Sequence, residues 1–105
     1  MSIIRTNITS SPTETPLIAL GDEFTGNGGR IKKISIANFS DHADGATVNL
    51  FLEDASDVDF YIIKNVNIPK GTTLVLTDNI AFDSTLYGLK LYNTGTSPAL
   101  TVTIS

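Results

Sequence analysis

The 105-residue chain contains no cysteine, which excludes a disulfide framework and any thiolate chemistry. Small extracellular domains often lean on disulfides. This chain must draw its stability from packing, or from subunits that bury each other's surfaces. It has a single histidine, His42, in the loop sequence Ser40-Asp41-His42-Ala43-Asp44-Gly45. Ser, Asp and His adjacent in sequence do not make a triad, whose members converge from different elements around a buried acid. With no cysteine and no second histidine, zinc sites and nucleophilic catalysis lack their residues. No apolar run reaches membrane-spanning length, so no membrane partner is expected. The basic start and apolar run of a secretory signal are missing from Met1-Ser2-Ile3-Ile4-Arg5, and the expectation is folding in a cytoplasm. A basic excess is lacking too. Seven Lys and Arg stand against eleven Asp and Glu, for a formal charge of −4, which argues against nucleic acid as a partner.

What is present fits one domain with a modest core: 41% hydrophobic residues and a mean hydropathy of +0.12. No helical period is visible. From Arg30 to Ser105 the chain reads as short strands with turns about every 8–12 residues, the spacing of an all-β sandwich or barrel. Arg30 to Phe39 reads as one long strand, with Ile34 and Ile36 on one face and Ile31 on the other parity. Ala46 to Glu53 alternates, placing Val48, Leu50 and Leu52 inward, with Phe51 as the exception. Phe60 to Ile68 places Phe60, Ile62, Val66 and Ile68 inward. Pro69-Lys70-Gly71 is a tight turn before Leu74 and Leu76. Tyr87, Leu89 and Leu91 share a face. Leu100, Val102 and Ile104 alternate with outward Thr101, Thr103 and Ser105, a clean half-buried pattern.

Residues 1–21 differ from the remainder, 22–105. Polar and β-branched, with Pro12 and Pro16, they suit an extended arm or an edge strand, because proline cannot donate to a ladder. As an arm lying on a neighbouring subunit, Ile3 to Leu20 would be dispensable for folding, and deletion of residues 1–16 would leave the sandwich intact. Thr25-Gly26-Asn27-Gly28-Gly29 is a flexible turn. It is not a phosphate loop, since no Lys-Ser/Thr and no helix follow.

No constellation points to catalysis. A glycosidase needs two carboxylates flanking a cleft, whereas the acids here fall in loops and turns. No cofactor is expected. Calcium held by loop oxygens would draw on Asp54, Asp57 and Asp59, although turn acids more commonly cap local backbone. Phe51, Tyr61 and Tyr92 lie opposite their strands' apolar sets, which is where a sugar-binding face would carry aromatics. Arg30, Lys32 and Lys33 form the basic cluster, either a solubilising edge or a docking patch for an acidic protein. Outward positions rich in Thr, Ser and Asn suit packing against other protein.

The strand Ile34-Ser35-Ile36-Ala37-Asn38-Phe39-Ser40, the strand Ala46-Thr47-Val48-Asn49-Leu50-Phe51-Leu52 and the turn Val66-Asn67-Ile68-Pro69-Lys70-Gly71-Thr72-Thr73-Leu74 carry a resemblance. So does the closing strand Leu100-Thr101-Val102-Thr103-Ile104. Over residues 30–105 the chain resembles small virion structural proteins of tailed bacteriophages, particularly marine and cyanobacterial phages. The acidic Asp54-to-Tyr61 connection and the Pro-rich N-terminal segment depart from that pattern.

The resemblance implies an antiparallel, jelly-roll-like β-sandwich of about eight strands with an extended N-terminal arm. It also implies a non-enzymatic capsid decoration or cement protein, located on the virion and assembled in the host bacterial cytoplasm. The partners implied are the major capsid protein or other virion proteins, and further copies of the chain in a homo-oligomer. Contact residues under that reading are Ile3, Ile4, Arg5, Ile8, Leu17 and Ile18 of the arm, with Arg30, Lys32 and Lys33. The alternatives are a tail, neck or baseplate component, or a receptor- or glycan-binding module using Tyr61 or Tyr92.

Overall fold

A computed structural model describes residues 4–21, 30–40, 45–77, 80–81, 83–95 and 98–105. Ile3, the glycine turn at residues 25–29, and the loop acids Asp41 and Asp44 with His42 lie outside the described residues. Ten strands are present among the described residues: β1 (Ile4–Ile8), β2 (Thr13–Ile18), β3 (Arg30–Ile31), β4 (Ile34–Asn38), β5 (Ala46–Asp54), β6 (Asp59–Ile68), β7 (Thr72–Leu76), β8 (Ile80–Ala81), β9 (Tyr87–Thr94) and β10 (Leu100–Ile104).

Their pairing is nested. β1 pairs with β10, β2 with β9, β3 with β8, β4 with β7 and β5 with β6, all antiparallel. The chain is thus one long hairpin whose tip is the β5–β6 turn. Rolling that hairpin up adds two further pairings, β10 with β4 and β9 with β5. The result is a first sheet in the order β1-β10-β4-β7, a second in the order β2-β9-β5-β6, and the small pair β3-β8. Eight strands in two four-stranded antiparallel sheets, with the chain crossing between them, make a jelly-roll β-sandwich.

The core lies between the sheets. Ile8, Ile34, Ile36, Leu100, Val102 and Ile104 face inward from the first; Leu17, Ile18, Val48, Leu50, Leu89 and Leu91 face inward from the second. Each fully buried aliphatic side chain of this size contributes about 1.5–3 kcal/mol. Two buried asparagines secure the places where the chain passes between sheets. Asn38 on β4 donates from Nδ2 to the Ile68 carbonyl at 2.8 Å, and its Oδ1 accepts the Ser40 N–H at 3.1 Å. Asn93 on β9 donates to the Ser10 carbonyl at 3.0 Å.

Three expectations change. First, of the two readings of residues 1–21, the edge strand fits residues 4–18 and the free arm does not. β1 and β2 are edge strands, one in each sheet, and they bury Ile8, Leu17 and Ile18 in the chain's own core. Pro16 is tolerated because β2 has one free side.

Second, the strand expected from Arg30 to Phe39 breaks after Ile31. The Lys32 and Lys33 N–H groups turn to the Ser105 carbonyl at 2.9 and 3.1 Å. The break lets Ile31, Ile34 and Ile36 all be fully buried despite their mismatched parity.

Third, β6 slips twice against β5, between Val48 and Leu50 and between Leu50 and Phe51. Each slip inserts an extra residue into β6. Ile63, not Ile62, therefore stands opposite the inward Leu50, and Asn65 takes a left-handed φ of 55°. Asparagine tolerates that backbone, and the Asn65 N–H is received by Asn49 Oδ1 at 2.8 Å. Pro69-Lys70-Gly71 forms the expected turn, with Gly71 at φ 73°.

Candidate functional site

The sandwich presents two outer faces of opposite character. On the first sheet the outward residues fall in two rows across the strands: Arg5, Thr103, Ser35 and Val75, then Asn7, Thr101, Ala37 and Thr73. The side chains are short, and Thr101 donates to Asn7 Oδ1 at 2.8 Å. None of the four strands contains an acidic residue. Lys32 and Lys33 join the sheet at its Ser105 end, beside the row that carries Arg5. Arg5, Arg30, Lys32 and Lys33 are all exposed. Lys32 and Lys33 therefore stand at one margin of this face. The members of the basic cluster do not share one strand face as the unbroken strand implied, because Arg30 sits on β3 and the lysines in the link to β4.

The remaining contact residues divide by burial. Ile4 is half-buried against the core, while Ile8, Leu17 and Ile18 are 3%, 7% and 3% exposed and cannot meet a partner. Their apolar character, read as stickiness for a neighbour, serves the chain's own interior.

The second sheet carries the aromatics and the charge. Three levels run across its outer side. Glu14, Tyr92 and Asn49 form one, Pro16, Lys90, Phe51 and Tyr61 the next, and Gly88, Glu53 and Asp59 the third. Tyr61 and Tyr92 are 47% and 37% exposed. Phe51 is on the same face yet buried, its ring 5.5 Å from that of Tyr61. The Lys64 ammonium stands 4.8 Å above the Tyr61 ring. The outward parity of these aromatics was legible in the sequence.

The charges that surround them converge from four strands. Lys90 Nζ lies 2.6 Å from Glu53 Oε1 and 3.6 Å from Glu14 Oε2. Its hydrogen bond to Glu53 raises the Lys90 pKa, and the same bond is the main cause lowering that of Glu53. Asp59, directly opposite Glu53, is pushed the other way, first by desolvation and then by the neighbouring carboxylate. Mutually held in this way, the four groups offer fixed donors and acceptors around the tyrosines. Glu14, Glu53 and Lys90 are distant in sequence, and only the pairing of β2, β9 and β5 brings them together.

The acids proposed for calcium have other work. Asp54 Oδ1 accepts the Ser56 and Val58 N–H groups at 2.8 and 3.0 Å, capping the β5–β6 turn in which Asp57 adopts φ 62°. Asp59 faces Glu53. Among the described residues no three His, Cys, Asp or Glu side chains gather as a metal-binding group. No protein-family model matches the chain, and no curated protein matches its sequence.

Proposed function

We propose that the protein is a non-enzymatic structural component of a tailed-phage particle. In this reading it is a capsid decoration module that stabilises the shell by bridging neighbouring copies of the major capsid protein. The observation that supports this best is the outer face of the first sheet. It is built of short hydroxyl, amide and methyl side chains, its four strands contain no carboxylate, and it is margined by Arg5, Lys32 and Lys33. Short β-branched side chains lose little rotamer entropy on burial, so a broad contact with a flat partner is inexpensive. The basic margin selects an acidic surface and excludes a basic one. Each copy buries a modest interface, and a symmetric shell multiplies weak contacts through avidity. The jelly roll is compatible with this role, and the resemblance of residues 30–105 to phage structural proteins suggests it.

Quantitative mass spectrometry of purified particles tests it. Copy number near that of the shell protein is the expected result. A few copies per particle move the protein to the neck, tail or baseplate, and absence from particles overturns the reading. The double variant Arg5→Glu, Lys33→Glu is expected to leave particles at a lower salt concentration than the wild type, since exposed charge contacts are screened over about 10 Å at 0.1 M.

A further inference from the structure

We propose that the outer face of the second sheet binds a neutral oligosaccharide, with pyranose rings stacked on Tyr61 and Tyr92. The inference is independent of where the protein sits on a particle, because it rests on the face opposite the proposed docking surface.

A pyranose presents an apolar C–H face edged by hydroxyl groups, so its receptor needs an aromatic plane with fixed polar groups beside it. Both are present. Tyr61 stands opposite Phe51 on one side of β5, and Tyr92 opposite Asn49 on the other. Two inter-strand steps and two residues of rise separate their backbones by about 12 Å, the reach of a short oligosaccharide. Buried Phe51 lies between them and packs against the Tyr61 ring. Around the rings are Glu53 and Glu14, both held by Lys90, with Asp59 facing Glu53. Carboxylates accept hydroxyl hydrogen bonds with charge assistance, and their mutual anchoring means little side-chain freedom is lost on binding. Tyr92 and Phe51 stand on β9 and β5, which are interior to the sheet, and Tyr61 stands on its edge strand β6.

The same residues disfavour other occupants. Three carboxylates against Lys90 and Lys64 repel phosphate-rich and other polyanionic ligands. The exposed rings are bordered by Lys90, Glu14 and Glu53, and charged residues are depleted from the core of a protein interface. Lys64 rests over Tyr61 at 4.8 Å and must move aside for a sugar. Its exposed cation–π contact is worth about 0.5–1 kcal/mol, so Lys64→Ala should tighten binding about two- to fivefold.

The test is titration of the full-length chain with tetrasaccharides of neutral hexoses and N-acetylhexosamines. Amide NMR shifts and tyrosine fluorescence give the readout; the chain has no tryptophan to mask its three tyrosines. Saturable binding is expected with at least one of them, with shifts confined to β2, β5, β6 and β9. Tyr61→Ala and Tyr92→Ala should each weaken it about tenfold or more, Tyr61→Phe and Tyr92→Phe about twofold at most, and Val75→Ala on the other face not at all. The phenylalanine variants keep the test valid should an alanine variant fold poorly. The proposal is overturned by absence of saturable binding up to about 10 mM saccharide. Binding that survives loss of both rings overturns it equally. So does a self-association, without sugar binding, that the alanine variants abolish.

Discussion

Lys90 is the residue on which the charged face of the second sheet depends. It is the counter-charge for Glu53 and Glu14, and its removal leaves those carboxylates beside Asp59 with no neutralising partner among the contacts described. Glu53 is depressed in the folded state, so its contribution is present above its unfolded pKa and is lost as pH falls through the folded value. Lys90, raised, contributes below its unfolded pKa and ceases to do so as pH rises through the folded one. Asp59, raised by desolvation, opposes Glu53: acidification relieves it. Lys90→Met is therefore expected to melt below the wild type at about pH 7, with the gap closing towards about pH 4 as the carboxylates protonate. Thermal melts across that range check it. A gap that widened on acidification would refute the assignment. Asn38 is the other residue whose loss is specific. Asn38→Ala strips the partner from the buried end of β6, and urea unfolding should show a cost of about 2–3 kcal/mol. In the sequence Asn38 is one residue of a strand. Its fold-wide role was hidden because the carbonyl it serves belongs to Ile68, thirty residues away.

At the scale of elements, the legible strands were those whose inward set alternates without interruption. Leu100, Val102 and Ile104 of β10 are read correctly because both neighbours of that strand keep perfect register. β6 resisted the same reading, since Ile62 and Ile63 are adjacent and apolar and no local signal says which one a bulge sets aside. β1 and β2 resisted it for a different reason. Threonine, proline and serine describe an extended chain equally well whether it lies on its own sheet or on a neighbour's, and only the buried Ile8, Leu17 and Ile18 distinguish the two. That distinction has a measurable consequence. Deleting residues 1–16 removes an edge strand from the first sheet and most of one from the second, exposing Leu100, Val102, Leu89 and Leu91 to water. The truncated protein should lose cooperative thermal unfolding. Retention of a sharp melt and native amide dispersion would show that β1 and β2 are dispensable after all.

For the molecule as a whole, the pairing separates two outer faces that the linear sequence interleaves. Strands β1, β4, β7 and β10 supply an acid-free surface, while β2, β5, β6 and β9 supply Glu14, Glu53, Asp54 and Asp59 with Lys64 and Lys90. The net charge of −4 averages over this division, and composition alone could not disclose it. The all-β sandwich was legible from turn spacing and alternation. The charge polarity was not, because it follows from which strands are neighbours, and that is set by contacts across the entire chain.

The nested pairing also dictates an order of assembly. Ile4 meets Ile104, so closing the outermost ladder first would require an almost chain-length loop. Starting at the turn capped by Asp54, each completed ladder brings the next pair of strands together, and every later closure spans only a short linker on either side. The protein should fold as a zipper running from its middle to its two ends. Stopped-flow kinetics can read this directly: Asp54→Ala should slow refolding, while Val102→Ala should leave refolding nearly unchanged and accelerate unfolding. β10 lies between β1 and β4, so the first sheet stays divided until that strand is in place.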